Sequence, residues 1–147
     1  MEDFTIQGID AFLTISLTEV YGFPDETCHW GGYDARAAIK IQTGGFSVNA
    51  EFWTSTGELS ELYRQLSDSN EQVAGAISFR SYEEHLNFTA HYNSLGHVIV
   101  AGTFSEQDLS DNKLQFEIQT DQSYIQATLI EMKRLVAKYG GMKGVKS

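Results

Sequence analysis

Tyr33-Asp-Ala-Arg-Ala-Ala-Ile-Lys-Ile-Gln-Thr-Gly-Gly-Phe-Ser-Val-Asn-Ala-Glu-Phe-Trp53 consists of two alternating segments divided by a pair of glycines. Over 33–43, Tyr33, Ala35, Ala37, Ile39 and Ile41 recur at every second position, and over 46–53 Phe46, Val48, Ala50 and Phe52 do the same. A period of two is the spacing of half-buried strands. Gly44-Gly45 offers two positions that tolerate positive φ, so the segments close as a hairpin and pair antiparallel.

The same pattern extends outward. In 11–21, Leu13, Ile15 and Leu17 alternate with Thr14, Ser16 and Thr18, which predicts a strand with one wet face. A shorter strand over Phe4 to Gln7 precedes it, with Gly8 to Asp10 as the turn. Downstream, Ser55 and Glu58 stand at capping-box spacing. Leu59, Leu62, Tyr63 and Leu66 follow as the stripe of an amphipathic helix ending near Asp68. Strands are predicted over 73–80, 84–92 and 96–104, a meander turning at Ser81-Tyr82-Glu83 and Asn93-Ser94-Leu95. Ser105 to Asn112 is a polar loop and 113–120 the last strand. Asp121 caps a final helix to about Tyr139, with Ile125, Leu129, Met132 and Val136 as its stripe and Gly140 as an αL stop.

Short links that join strand directly to strand require antiparallel pairing. The expected fold is therefore α+β: one largely antiparallel, curved sheet of about seven or eight strands with two helices packed on one face. No linker or repeat divides the chain, so 1–140 is expected to be a single domain and 141–147 a flexible Gly/Lys tail.

The 147 residues carry 20 Asp and Glu against 10 Lys and Arg. Setting aside Lys143 and Lys146 leaves 8 basic residues over 1–140 and a net charge of −12. A field of that sign repels phosphate backbones and favours a basic partner, although acidity also serves plain solubility. Cys28 is the only cysteine, so no internal disulfide can form. The acidic start Met1-Glu2-Asp3 lacks the basic and apolar regions of a secretory signal, and no stretch is apolar for the length of a membrane span. The expected location is the cytoplasm, with no nucleic-acid or membrane partner.

Standard catalytic and cofactor signatures are missing: no glycine-rich phosphate cradle, no His-Glu-x-x-His, no paired Cys-x-x-Cys and no Gly-x-Ser-x-Gly. No catalytic residue, metal ligand or cofactor is expected. His85, His91 and His97 are close in sequence, but a four-residue turn at Asn93 to Gly96 would set Tyr92 against His97 and His91 against Val98. The two histidines would then project from opposite faces. Cys28-His29 point apart on an extended backbone. Glu58, Glu61 and Asp68 read as a solvated helix face.

The loop Gly22 to Gly32 and its flanks are different in character. Tyr21, Phe23, Trp30 and Tyr33 are interleaved with Glu19, Asp25, Glu26 and Asp34. Rings beside carboxylates suit a surface that holds a basic protein: rings as desolvated anchors, carboxylates for Lys and Arg. The other reading is that Trp30 and Tyr33 fold under as a lid on the core.

Several features together resemble a known family. They are Tyr21-Gly-Phe-Pro-Asp25 followed by Asp34, Gly44-Gly45 leading to Phe52-Trp53-Thr54, and the helix with Leu59, Leu62 and Leu66. Gly96-His-Val-Ile-Val100, Leu114-Gln-Phe-Glu117 and Asp121-Gln-Ser-Tyr124 complete the set. Over about residues 4 to 138 the chain resembles the WapI-like immunity proteins of bacterial polymorphic toxin systems, and a neighbouring uncharacterised domain family. The resemblance implies an intracellular protein that binds and neutralises a secreted toxin domain, often a nuclease; separately, the chain is expected to be a monomer or weak homodimer. It implies no catalytic residue. The alternative class is an α+β domain whose curved sheet holds a small apolar ligand.

Overall fold

The computed structural model describes residues 2–106 and 111–145. Its elements run β1 (Glu2–Gly8), β2 (Ala11–Tyr21), β3 (Asp34–Thr43), β4 (Phe46–Ser55), α1 (Thr56–Gln72), β5 (Ala76–Arg80), β6 (Leu86–Tyr92), β7 (His97–Ser105), β8 (Lys113–Asp121) and α2 (Gln122–Tyr139). The α+β class, the antiparallel pairing and the two helices are as the sequence predicts. The strands, however, divide into two four-stranded sheets, β1-β2-β3-β4 and β5-β6-β7-β8, rather than forming one. A 17-residue helix lies between β4 and β5, so the second meander pairs within itself. The polar loop expected over 105–112 has its residues 107–110 outside the described set.

Local signals set the element boundaries. Gly44 takes φ 57° in the predicted hairpin, and Thr43 pairs with Phe46 across it. The Ser55 hydroxyl accepts from the Glu58 N–H while the Glu58 carboxylate accepts from the Ser55 N–H, which completes the capping box. Asp121 caps α2 by accepting from the Tyr124 N–H at 2.9 Å. Gly140 follows α2 with positive φ but extended ψ (76°, −163°), so the αL geometry is not the one adopted.

A single core joins the inner faces of both sheets to the apolar stripes of the helices. Phe4, Leu13, Ile15, Ile39 and Phe52 face it from one sheet, and Phe88, Val98, Val100, Phe104 and Ile118 from the other. Phe52 meets Phe104 edge to face at 6.2 Å. Burying such large apolar side chains contributes roughly 1.5–3 kcal/mol each.

The helices pack antiparallel. Asn70 near the end of α1 donates to the Gln122 carbonyl at the start of α2, and its own side-chain oxygen accepts from the Tyr92 hydroxyl at 2.8 Å. At the other end, Thr56 and Leu59 of α1 meet Met132, Leu135 and Tyr139 of α2, with a void of only about 10 Å³ among them. That is room for about one water and far too little for an apolar ligand. The free edge of β1 is covered by α2: the Thr5 N–H donates to Glu131 and the Thr5 carbonyl accepts from Thr128. Covering an edge in this way removes a template for unwanted strand pairing.

Candidate functional site

The sequence-predicted residues gather at the end of the molecule where α1 begins and α2 finishes. A bulge in β2 sets up part of that end. The β2–β3 register shifts between Leu17 and Glu19, so Thr18 is the extra residue and the strict alternation stops there. Glu19 then opposes Arg36 and Tyr21 opposes Asp34, all on the outer face, while Val20 turns toward the core. Glu19 pairs with the Arg36 guanidinium at 3.7 Å and accepts from the Tyr21 hydroxyl. The Arg36 guanidinium lies over the Trp53 ring at 5.2 Å, and the Tyr21 ring lies 5.7 Å from the same indole.

The loop from Gly22 to Tyr33 is fastened to the N-terminus of α1. The first N–H groups of a helix have no partner within it. Here the Tyr33 carbonyl accepts from Thr56 at 2.9 Å and the Gly31 carbonyl from Gly57 at 3.2 Å. The approach is so close that a Cβ on Gly57 would collide with the Gly31 backbone. The Tyr33 N–H in turn donates to the Thr56 hydroxyl at 2.7 Å.

The fastening separates the loop aromatics. Tyr33 is fully buried, so its placement on a partner-binding surface is corrected. Its ring meets Phe23 and Tyr139 edge-on, its hydroxyl donates to the Pro24 carbonyl, and it accepts from the Val145 N–H. Trp30 remains 45% exposed and Phe23 40%. Asp25 and Glu26 lie on the exposed side of the loop, the Glu26 N–H donating to the Gly22 carbonyl. Of the segment 141–147, expected as a flexible tail, residues 141–145 lie against the loop and 146–147 are outside the described residues. The Gly32 N–H donates to the Met142 carbonyl at 2.7 Å, and the Met142 side chain rests over Gly31.

Two residues outside the sequence-predicted set complete the surface. Tyr82, from the β5–β6 turn, stacks on Trp30 at 5.0 Å with the rings 2° from parallel. Its hydroxyl donates to Asp34 at 2.8 Å, and burial with that carboxylate raises its pKa. Glu58 is the second. Reading it as a solvated helix residue is corrected, because burial pushes its carboxyl up to about 7 despite hydrogen bonds from Thr54 and Ser55. Its capping-box spacing is visible in the sequence, but its burial depends on the distant Tyr82 turn and β5.

Glu58 predicts a pH dependence of stability. The unfolded chain releases this proton near 4.5 and the native protein only near 7. Between those values the native state holds the extra proton, so stability falls as pH rises through the window. Allowing for its partial exposure, the fall amounts to about 1–2 kcal/mol. Glu58→Gln keeps the cap geometry and is expected to flatten this component, read as urea midpoints across the window. Parallel curves for the two proteins would show that Glu58 is solvated after all.

Around this end, Arg36 pairs with Glu19, Arg64 with Glu61 and Asp68, and Arg80 with Glu84. Among the described residues no ion pair involves Asp34 or Glu58. The result is a stacked pair, Trp30 on Tyr82, beside Asp34, Glu58 and the Arg64-paired Glu61, while Phe23 is exposed separately against Tyr33 and Tyr139.

The histidines and the cysteine are arranged differently. The β6–β7 register pairs His91 with Ile99 and Tyr92 with Val98, one residue from the expected register. His91 and His97 therefore share the outer face rather than opposing ones. His85 places Nδ1 3.1 Å from the Ser105 carbonyl and Nε2 3.7 Å from Glu83. Among the described residues no group of three or more His, Cys, Asp or Glu could hold a metal ion. Burial raises the Cys28 thiol above its ordinary value, which keeps it a thiol rather than a thiolate nucleophile. No helix among the described residues is long and apolar enough to cross a membrane.

A search of curated proteins finds no match to the chain. The model of the immunity protein WapI-like family matches residues 5–140, nearly the whole chain. With that coverage, extending from β1 to the end of α2, the chain belongs to the immunity protein WapI-like family.

Proposed function

We propose that this protein confers immunity by binding and neutralising a cognate bacterial toxin domain, one that is basic and of nuclease type. Family membership supports toxin immunity, a role that consists of occupying a partner rather than transforming a substrate. The observation that carries the finer reading is the exposed Trp30 ring stacked on Tyr82, with Asp34, Glu58 and Glu61 beside the pair. Exposed rings held rigid by neighbours bury area at low entropic cost, and carboxylates at the rim select and steer a cationic partner.

In this reading the protein acts in the cytoplasm as a monomer or weak homodimer, within a contact-dependent inhibition or related polymorphic toxin system. Glu19, Tyr21, Phe23, Asp25, Glu26, Trp30 and Asp34 are its contact residues, with Tyr33 supporting them from beneath. The test is co-expression with the toxin domain encoded beside it, followed by stopped-flow association of the purified pair. Protection of the cells is expected, with an association rate that falls at least about tenfold from low to physiological salt. Unprotected cells and no complex would overturn the reading. A salt-independent rate would overturn the acidic surface as its basis.

A further inference from the structure

The carboxylates and the indole do not form a flat patch. They line a cleft of about 270 Å³ between α1 and β5. Glu58, Glu61, Leu62 and Gln65 form one wall, Ser78, Phe79 and Arg80 the other, with Trp30 and Met142 at the end. Strand β5 is the edge of its sheet, so this wall borders no further strand. The Ser78 N–H, pointing off that edge, is taken by the Gln65 side chain at 3.2 Å.

We propose that this cleft is the receptor for one arginine or lysine side chain of the toxin domain. The stem would lie against Trp30, Leu62 and Met142, and the cation would reach Glu58, with the Arg64-paired Glu61 beside it. This rests on the immunity reading above and adds to it the place and the chemical group.

Three features support a single cationic side chain as occupant. The volume lies below the roughly 300–1,000 Å³ of sites that enclose a whole small ligand. The walls combine an indole, a leucine and a methionine with the Glu58 carboxyl, which is in no ion pair among the described residues, beside Glu61, which Arg64 already pairs; this matches a side chain with an apolar stem and a charged head. The cleft's own cation is drawn elsewhere, since Arg80 pairs with Glu84 at 3.2 Å.

The receptor is also held in place before binding. Thr54 and Ser55 fix the Glu58 carboxyl, and the Tyr82 ring, tied to Asp34, supports Trp30. Pre-organisation of this kind lowers the ordering cost of binding.

A cation beside Glu58 favours its ionised form, so binding releases a proton and tightens as pH rises. The charged or titratable groups around this position are Glu61 of α1 with the Arg64 that pairs it, Arg80 of β5, Asp34 of β3, and Tyr82 and Glu83 of the turn. Burial pushes the Glu58 carboxyl up to about 7.

The test is a titration of the full chain with Nα-acetyl-arginine amide, followed at the Trp30 indole by NMR. Nα-acetyl-citrulline amide serves as the neutral isostere. The arginine probe is expected to bind with Kd of about 1 mM, and the citrulline probe about tenfold or more weaker. Arginine affinity should rise several-fold between about pH 6 and about pH 8, and Glu58→Gln should abolish that rise. Equal binding of the two probes, or no shift at Trp30 up to tens of millimolar, would overturn the cleft. Cell protection is scored separately. A protective protein with a silent cleft rejects this inference alone, whereas an unprotective one rejects the immunity reading.

Discussion

Replacing Tyr33 by alanine is expected to lower stability by about 4 kcal/mol, among the larger effects of a single truncation. Tyr33 is fully buried, and its ring is shared by Phe23 of the loop and Tyr139 of α2. Truncation removes those contacts and leaves a cavity at the junction of loop, helix and C-terminal segment. It also removes the hydroxyl that joins the Pro24 carbonyl to the Val145 N–H. Tyr33→Phe isolates that second part and is expected to cost about 1–2 kcal/mol, because two partners lose their hydrogen bond while the ring stays.

Urea titrations give both numbers as shifts of the midpoint at unchanged slope, and the alanine variant should melt roughly 8–16 °C lower. A loss below about 1.5 kcal/mol for the alanine variant would mean that the loop is held chiefly by its backbone bonds to Thr56, Gly57 and Met142. Tyr33 would then not be what joins the three segments.

Trp30→Ala is expected to weaken the complex with the toxin domain by about 30-fold or more, the loss typical of a central aromatic anchor. The indole is 45% exposed and lies flat on Tyr82, so its removal exposes a second ring without opening the core. The change in stability should therefore be small, about 1 kcal/mol or less.

Leu95→Ala is the matched control. Leu95 is 79% exposed in the β6–β7 turn, beside Gly96, whose carbonyl accepts from Gln122 at the start of α2. Trp30 lies at the other end, where α2 finishes about 27 Å away at 1.5 Å per residue. Surface plasmon resonance on the two variants separates the possibilities. Equal loss, or loss only in Leu95→Ala, would move the contact surface to the opposite end of the molecule.

The particular residues show how much of this was legible in advance. The Gly44-Gly45 hairpin, the Ser55/Glu58 box and the Asp121 cap each depend on a few neighbouring residues and stand in the structure as read. In the loop, Phe23 and Trp30 are accessible. Its alternation with acidic residues could not show that Tyr33 turns inward, because that depends on Tyr139, 106 positions away, and on the returning C-terminal segment.

Thr18 is a similar case. An alternating strand gives no sign of a bulge, yet one extra residue decides that Glu19 and Tyr21 join Arg36 and Trp53 on one face. The placement of His91 and His97 on a common face turned on one residue of register across a short turn.

The sequence by itself determined the elements: which segments alternate, where helices start, and that neighbouring strands run antiparallel. Those are consequences of local sterics and hydrogen bonding, complete within a few residues. It also determined the charge. Only the tertiary structure decided that eight strands form two sheets and that Tyr33 is core while Trp30 is surface. Only there does Glu58 lose water to a cleft walled by β5 and closed by Trp30. Burial and desolvation are properties of segments brought together from far apart in the chain, so no local pattern encodes them.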